Sequence, residues 1–473
     1  MTATSDSAAG VAAHHHGKTS QSSVSHPVIL VIFLLTMTQP YYFVFGPLVI
    51  GPYRLMLLCL AIPLFFKWLR GSYGRLIASD FLILAYLAWM SLSLIVNGQA
   101  GRIPQYVGGS VLDVFVAYLL GRAAIRSRQD MIFFSKVFLL ILLCLLPFAL
   151  IESFTRNPVL VDLAKGAPNS VIKPFGYVSH GQRLGLWRAQ TVFSHPIHQG
   201  VVCSMGFSLA FYVLKHDSSA PGVVKRAIWG SGTYFGTFLA LSAGAYLSLI
   251  IQAGLMTWDK VLAAYERRWQ LFGGAFVSMY AFLVVAANRP PPMVIAQMIA
   301  LNSNTAWYRY MLWQYGSAEV MRHPIFGMGL FSDWAKASWM VKTSVDNQWL
   351  VLAMRWGIPG VALMIAAYLY VVVRLIRQDY KGDKVLSDMR LALVFILAGT
   401  FVTYGTVAAW SFPLSIMMFL LGASVWLFDS PDRPDMEPAD AGASDRRGRP
   451  AAPGLRRQDA RVRYTRYANR SGA

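Results

Sequence analysis

Charge is what this chain has least of. Only 14% of its 473 residues are Asp, Glu, Lys or Arg, against about a quarter in a soluble globular domain. With 56% hydrophobic residues and a mean hydropathy of +0.46, that scarcity excludes a soluble fold. Cysteine is nearly absent too. Cys59, Cys144 and Cys203 all fall in apolar runs, which excludes a disulfide framework and reads as small buried hydrophobes. No Cys/His spacing suits a metal, and the run His14-His15-His16 is too short to argue for one, so the expected metal and cofactor content is none. Acids number 22 against 42 bases. That excess sits in short loops and the C-terminal tail, as membrane topology asks, and so points away from nucleic acid. Residues 1–26 show no cleavable signal, because the n-region is weakly charged and no small-residue site follows a short apolar core. No repeat of fixed period runs through the chain.

What is present is a series of apolar runs of roughly 18 residues or more, each able to cross about 30 Å of hydrocarbon. They predict spans at 27–46, 52–68, 80–97, 106–124, 131–152, 195–215, 226–242, 244–260, 269–287, 347–376, 388–407 and 411–428. The expected fold class is all-α, a polytopic transmembrane helical bundle of about 12 spans. Basic residues separate into two alternating sets of loops. Lys67, Arg70, Arg75, Arg122, Arg126, Arg128, Lys215, Lys225, Arg226, Lys260, Arg267, Arg268, Arg374, Arg377, Lys381, Lys384 and Arg390 fall on the side of the N-terminus, while the alternate short loops carry little beyond Arg54 and Arg102. Both termini are therefore expected in the cytoplasm. The domain expectation is a disordered N-terminus over 1–26, a transmembrane domain over 27–428 with long outward loops at 153–194 and 288–346, and a disordered basic tail over 429–473. The tail arginines either lie on anionic headgroups or serve as a solvated topology anchor.

The candidate chemistry lies in the two outward loops. The first ends Arg188-Ala-Gln-Thr-Val-Phe-Ser194-His195-Pro196. Ser194 is the expected N-cap, so the positive end of the next helix dipole points at the loops and favours an anionic ligand. His195 is either a helix-start residue satisfied locally or a ligand contact. Arg188 has no acid near it in sequence. In the second loop, Asn304 to Met321 has helical spacing, with Trp307, Tyr310, Met311, Trp313 and Val320 on apolar positions, and its aromatics read mostly as packing. Arg309 sits within that helix and needs an acceptor. The segment His323-Pro324-Ile-Phe-Gly327-Met-Gly329 breaks the helix and reads as a turn. Asp346-Asn347 marks the return to the membrane. Arg355 follows inside a span, where an arginine is costly and by default is paired, functional or snorkelling outward. Asp346 or a phosphate is its expected partner. Arg289, near the start of the second loop, joins the expected substrate-binding set.

Three stretches together resemble the O-antigen ligase and polysaccharide polymerase superfamily. They are Arg188…His195-Pro196 at the start of a central span, His323-Pro324-Ile-Phe-Gly327-Met-Gly329, and Asp346-Asn347…Gly357-Ile-Pro-Gly360. The layout, with the larger outward loop before the last spans, is similar as well. The resemblance covers most of 27–428. It implies a GT-C-like enzyme of the bacterial inner membrane that takes a glycan from a polyprenyl pyrophosphate, of the undecaprenyl kind, and passes it to a sugar hydroxyl without a metal. Family ligases usually carry His-Asn where this chain has Asp346-Asn347. The arginine often found beside the glycines after the seventh span is also missing, since Ala243 and Ala245 flank Gly244. Both departures favour a polymerase over a ligase.

On that resemblance Asp346 is the expected general base, His195 or His323 orients sugars, and Arg188, Arg309 and Arg355 hold the pyrophosphate, with Asn347 and Arg289 lining the substrate. The expected partners are the polyprenyl-pyrophosphate-linked glycan, the lipid bilayer and other polysaccharide export components. A ligase onto lipid A core, a flippase for the same lipid-linked saccharide, and an envelope scaffold are the alternatives.

Overall fold

The computed structural model describes residues 26–45, 48–166, 171–177, 181–220, 222–286, 303–331, 333–340, 344–380, 382–408 and 410–429. Arg289, His14 to His16 and the tail arginines lie outside the described residues. In chain order come α1 (Pro27–Thr36), β1 (Tyr41–Phe45), β2 (Leu48–Ile50), α2 (Pro52–Leu69), α3 (Ala78–Val96), α4 (Ala100–Ala124), α5 (Arg128–Thr155), α6 (Val159–Lys165) and β3 (Ile172–Pro174). They are followed by α7 (Pro196–His216), α8 (Val223–Leu239), α9 (Ala243–Val261), α10 (Arg268–Ala286), α11 (Ser303–Arg322), α12 (Gln348–Ile376), α13 (Lys384–Tyr404) and α14 (Phe412–Asp429). Among the described residues, nine helices are long and apolar enough to cross a membrane. The protein is an all-α polytopic bundle.

Three expected spans differ. The run 27–46 is no single helix: α1 stops at Thr36, and the aromatic and β-branched sequence Tyr41–Phe45 pairs as a strand instead. The sheet has the antiparallel order β2-β1-β3, with Phe43 opposite Ile50 on one side and Ile172 on the other. Helices α8 and α9, the expected seventh and eighth spans, have 17 and 19 residues, and neither is among the nine. They carry Lys225, Arg226, Gln252, Asp259 and Lys260, which lower their hydropathy. The chain turns between them at Ala240 to Ser242, inside the end of the expected span 226–242.

Helices α4, α7 and α14 are buried along most of their length, whereas α10 buries no residue. Two glycines set the closest helix crossing. A Cβ on Gly121 would lie 2.0 Å from the Phe419 carbonyl oxygen, and one on Gly422 would lie 1.9 Å from that of Tyr118. The backbones of α4 and α14 therefore touch, an arrangement by which small residues let membrane helices pack without a hydrophobic driving force. Gly232 of α8 likewise sits against the Leu142 backbone of α5, where a Cβ would come within 2.3 Å. One cysteine expectation needs correction: only Cys203 is buried, while Cys59 and Cys144 are exposed on the helix surface.

One end of the bundle is closed by a buried ion pair. Arg122 Nη1 donates to both Asp80 oxygens at 2.7 and 2.5 Å, and neither side chain is exposed. Arg122 Nη2 donates to the Tyr73 and Arg75 carbonyls, and the Tyr118 hydroxyl and Trp68 Nε1 donate to Asp80. Asp429, at the end of α14, lies 3.6 Å from Arg122 and accepts from the Arg75 amide. In this group, among the described residues, Arg122 Nε alone lacks an acceptor. A buried charge pair offsets its desolvation only when geometry and further hydrogen bonds are this complete.

Candidate functional site

The opposite end holds the loops. The stretch from Arg183 to His195 is fastened to the end of α5 and to the end of α8 with the turn after it. The Glu152 carboxylate, near the end of α5, accepts the amides of Gln190 and Thr191 at 3.0 and 2.8 Å. The Trp187 amide donates to the Ser153 carbonyl, and the Ala189 amide to that of Leu239. Arg183 Nη1 donates to the Leu241 carbonyl at 2.8 Å, and Arg188 Nε to the Ala240 carbonyl at 3.1 Å. A loop with its backbone so occupied presents its arginines in fixed positions.

From the other side, the second loop builds a small core of its own. Leu312 and Val320 of α11 pack with Trp334, Met340, Val345, Leu350 and Met354. Trp307 and Trp313 are about half exposed, so aliphatic residues rather than tryptophans supply the buried face of α11. This core sets Arg309 and Asp346 against the first loop. Burial and the facing Arg183 lower the pKa of Arg188 to about 10, with Tyr246 and Asp346 opposing. Burial also lowers that of Arg309, with Asp346 opposing and Arg183 adding to the fall. Arg183, Arg188, Arg309 and Asp346 therefore form one electrostatic cluster. Among the described residues Arg188, 5% exposed, donates from Nε to the Ala240 carbonyl, and the buried Arg309 Nε makes no hydrogen bond. Asp346 interacts with Arg188 and Arg309, and Arg183 adds a third guanidinium beside those two, so three positive charges and one negative leave two positive charges over. Arg183 is absent from the sequence-based set. The signal was its place in the same loop, five residues before Arg188.

The other expected residues are elsewhere. Asn347 is the N-cap of α12, its Oδ1 accepting the Leu350 amide at 3.0 Å, which accounts for it structurally. His323 is half exposed and pairs with Glu319 at 3.6 Å. Arg355 lies over the Phe331 ring and near Tyr86 and Tyr106, away from the cluster; Asp346 is not its neighbour in the electrostatics of the site.

Arg355 does mark a break in α12. Gly357 is at φ +71° and ψ −179°, and the turn 324–329 inserts where the helical bonds are lost. Ile358 N donates to the Pro324 carbonyl, Met328 N to that of Met354, and Gly329 N to that of Arg355. Ser93 Oγ and Trp89 Nε1 donate to the Phe326 and Trp356 carbonyls at 2.5 and 2.8 Å, and Trp89 stacks on Phe326. Irregular backbone at membrane depth is tolerated where protein satisfies it in this way. The half-helix Gln348 to Trp356 is thereby aimed independently of the rest of α12.

His195, rather than Ser194, is the N-cap of α7, its Nδ1 accepting the Ile197 amide at 3.1 Å. Ser194 instead pairs with Nδ1 of His198 at 3.2 Å, a one-residue shift that the Pro196 position permits. Trp410 packs on both histidine rings. No protein-family model matches the chain, and no curated protein matches it either.

Proposed function

We propose that the protein is a glycosyltransferase that polymerises polyprenyl-pyrophosphate-linked oligosaccharide repeats of a surface or secreted polysaccharide. The observation that carries this is the charge count of the loop cluster: two uncompensated positive charges on Arg183, Arg188 and Arg309 suit a diphosphate diester, which carries two negative ones. Arg binds phosphate oxygens bidentately and stays charged, and burial strengthens each contact. On this reading the bundle is GT-C-like, and α8 and α9 cross the bilayer although they fall outside the nine helices that are long and apolar enough by themselves. The cluster then faces outward from a bacterial inner membrane, and both termini lie in the cytoplasm.

The reaction asks the acceptor hydroxyl oxygen to bond to the anomeric carbon as that carbon's bond to the pyrophosphate oxygen breaks. The electron pair leaves with the pyrophosphate, and the proton goes to the Asp346 carboxylate. Asp346 lies near two guanidinium groups, which hold it beside the pyrophosphate oxygens. Stabilisation of charge on the departing pyrophosphate is the larger contribution, and general-base assistance adds about 10²–10⁴-fold. Transfer onto lipid A core would use the same steps with another acceptor.

A flippase would want cations along a path through the bundle, whereas the loop cations gather at one end. The test is a gene deletion complemented with wild type, Arg309→Ala or Asp346→Ala, with the cell's polysaccharide run on a gel. Single repeats in place of a ladder support the proposal. A normal ladder from both variants ends it.

A further inference from the structure

Arg355 is a cation inside a span, with no carboxylate beside it among the described residues. It lies roughly 10 Å into α12, counted from Gln348. Its Nε is buried and makes no hydrogen bond, and its guanidinium carbon sits 5.8 Å from the centre of the Phe331 ring. Its electrostatic neighbours are the phenols of Tyr86 and Tyr106. Two other arginines in the spans are treated differently. Arg54 donates to both Asp113 oxygens, and Arg122 to both of Asp80. An aromatic face attracts a cation but leaves its charge in place. A charge kept at that depth by default marks a functional site, and here its counter-ion has to come from outside the fold.

The surface beside Arg355 is apolar. Leu92, Ile325 and Ile358 are exposed there, and all three belong to the break in α12. Ser93, next to Leu92, donates to the Phe326 carbonyl, the Ile325 carbonyl packs against Gly357, and the Ile358 amide donates to the Pro324 carbonyl. A lipid meets both features, with phosphate for the cation and acyl chains for the apolar side chains. The charge count selects among lipids. One guanidinium matches the single negative charge of a phosphodiester, whereas the loop cluster, with two charges over, suits the two of a diphosphate diester. With no carboxylate beside Arg355 to receive an ammonium, a glycerol headgroup fits better than an ethanolamine one.

We infer that Arg355 is a binding site for an anionic phospholipid of the leaflet at the loop end. Its guanidinium holds the phosphodiester, and the acyl chains lie over Leu92, Ile325 and Ile358. The lipid braces the turn 324–329 in the break of α12, and with it the half-helix Gln348 to Trp356 that follows Asp346. The inference goes beyond the glycosyl-transfer reading and does not depend on it.

The test uses the full-length protein, delipidated in a mild detergent, with bound lipid counted by native mass spectrometry. It is titrated separately with phosphatidylglycerol, phosphatidylethanolamine and sugar-free undecaprenyl pyrophosphate. Wild type should bind phosphatidylglycerol more tightly than phosphatidylethanolamine. Arg355→Met removes a charge without stranding another, so it should fold. It should lose about tenfold to a hundredfold in affinity for phosphatidylglycerol, the worth of a charged hydrogen bond, and leave undecaprenyl pyrophosphate binding unchanged. Arg355→Lys should keep part of the phosphatidylglycerol affinity. In wild type, phosphatidylglycerol carrying a diazirine in its acyl chain should label Leu92, Ile325 or Ile358, a readout that needs no variant. Equal phosphatidylglycerol affinity in wild type and Arg355→Met overturns the inference, as does equal affinity of wild type for the two phospholipids, or labelling that misses all three residues. Loss of undecaprenyl pyrophosphate binding instead of phosphatidylglycerol binding in Arg355→Met also overturns it, and gives Arg355 the ligand of the loop cluster.

Discussion

The two ends of the bundle treat arginine in opposite ways. Arg122 is unexposed and holds Asp80 through one nitrogen and two carbonyls through another. Arg188 is nearly as buried, faces Arg183, and shares a single carboxylate with Arg309. The first arrangement satisfies charge and so stabilises the fold. The second leaves charge unsatisfied, at a cost to the fold, and such a cost persists where a ligand is to be met. The depressed pKa of Arg188 carries the same sign. Its charged form is disfavoured in the folded protein, so the penalty is present at neutral pH and is relieved only above about pH 10.

That contrast can be broken by substitution. Asp80→Ala should have the largest effect on the fold. It strands a buried guanidinium, at about 3–5 kcal/mol, and folded protein should disappear from a fluorescence size-exclusion profile. Gly357→Ala comes next, because a Cβ there lies 2.0 Å from the Ile325 carbonyl oxygen at a φ of +71°. It should cost about 1–3 kcal/mol in strain and abolish the polymer ladder, since the half-helix after Asp346 loses its seat. Arg188→Ala and Arg309→Ala should leave the folded yield and melting temperature unchanged or slightly raised while ending polymer formation. A fall in melting temperature as large as that of Asp80→Ala would make both ends structural. Asp346→Asn should slow transfer about 10²–10⁴-fold and tighten the binding of undecaprenyl pyrophosphate, because the cluster gains a unit of positive charge. The smallest effect is ionic. Raising salt should weaken lipid pyrophosphate binding by wild type only modestly, as buried charges are poorly screened.

Much of the bundle was legible in the sequence because long apolar runs admit few alternatives to a helix. The helix Ser303–Arg322 and the turn that follows it were legible for the same kind of reason, periodicity ended by Pro324, Gly327 and Gly329. The strand at Tyr41 was not, since an apolar run of that length reads as helix until Pro40 and the aromatic cluster are weighed. Arg188, Arg309 and Asp346 were found from their cost near a membrane. Their meeting depends on which loop folds onto which, and no local pattern encodes that. Arg183 stayed outside the sequence-based set because it lies in a loop whose anchor points, Glu152 and the Ala240 turn, are distant in sequence. Arg355 and Asn347 were chemically conspicuous, yet the structure uses Asn347 as a cap and sets Arg355 beside Phe331.

The most direct measurement is the affinity of sugar-free undecaprenyl pyrophosphate for the purified protein in nanodiscs, compared among wild type, Arg183→Ala, Arg188→Ala, Arg309→Ala and Asp346→Ala. The account expects each arginine variant to lose most of the binding and Asp346→Ala to gain. Equal affinity across all five would contradict it.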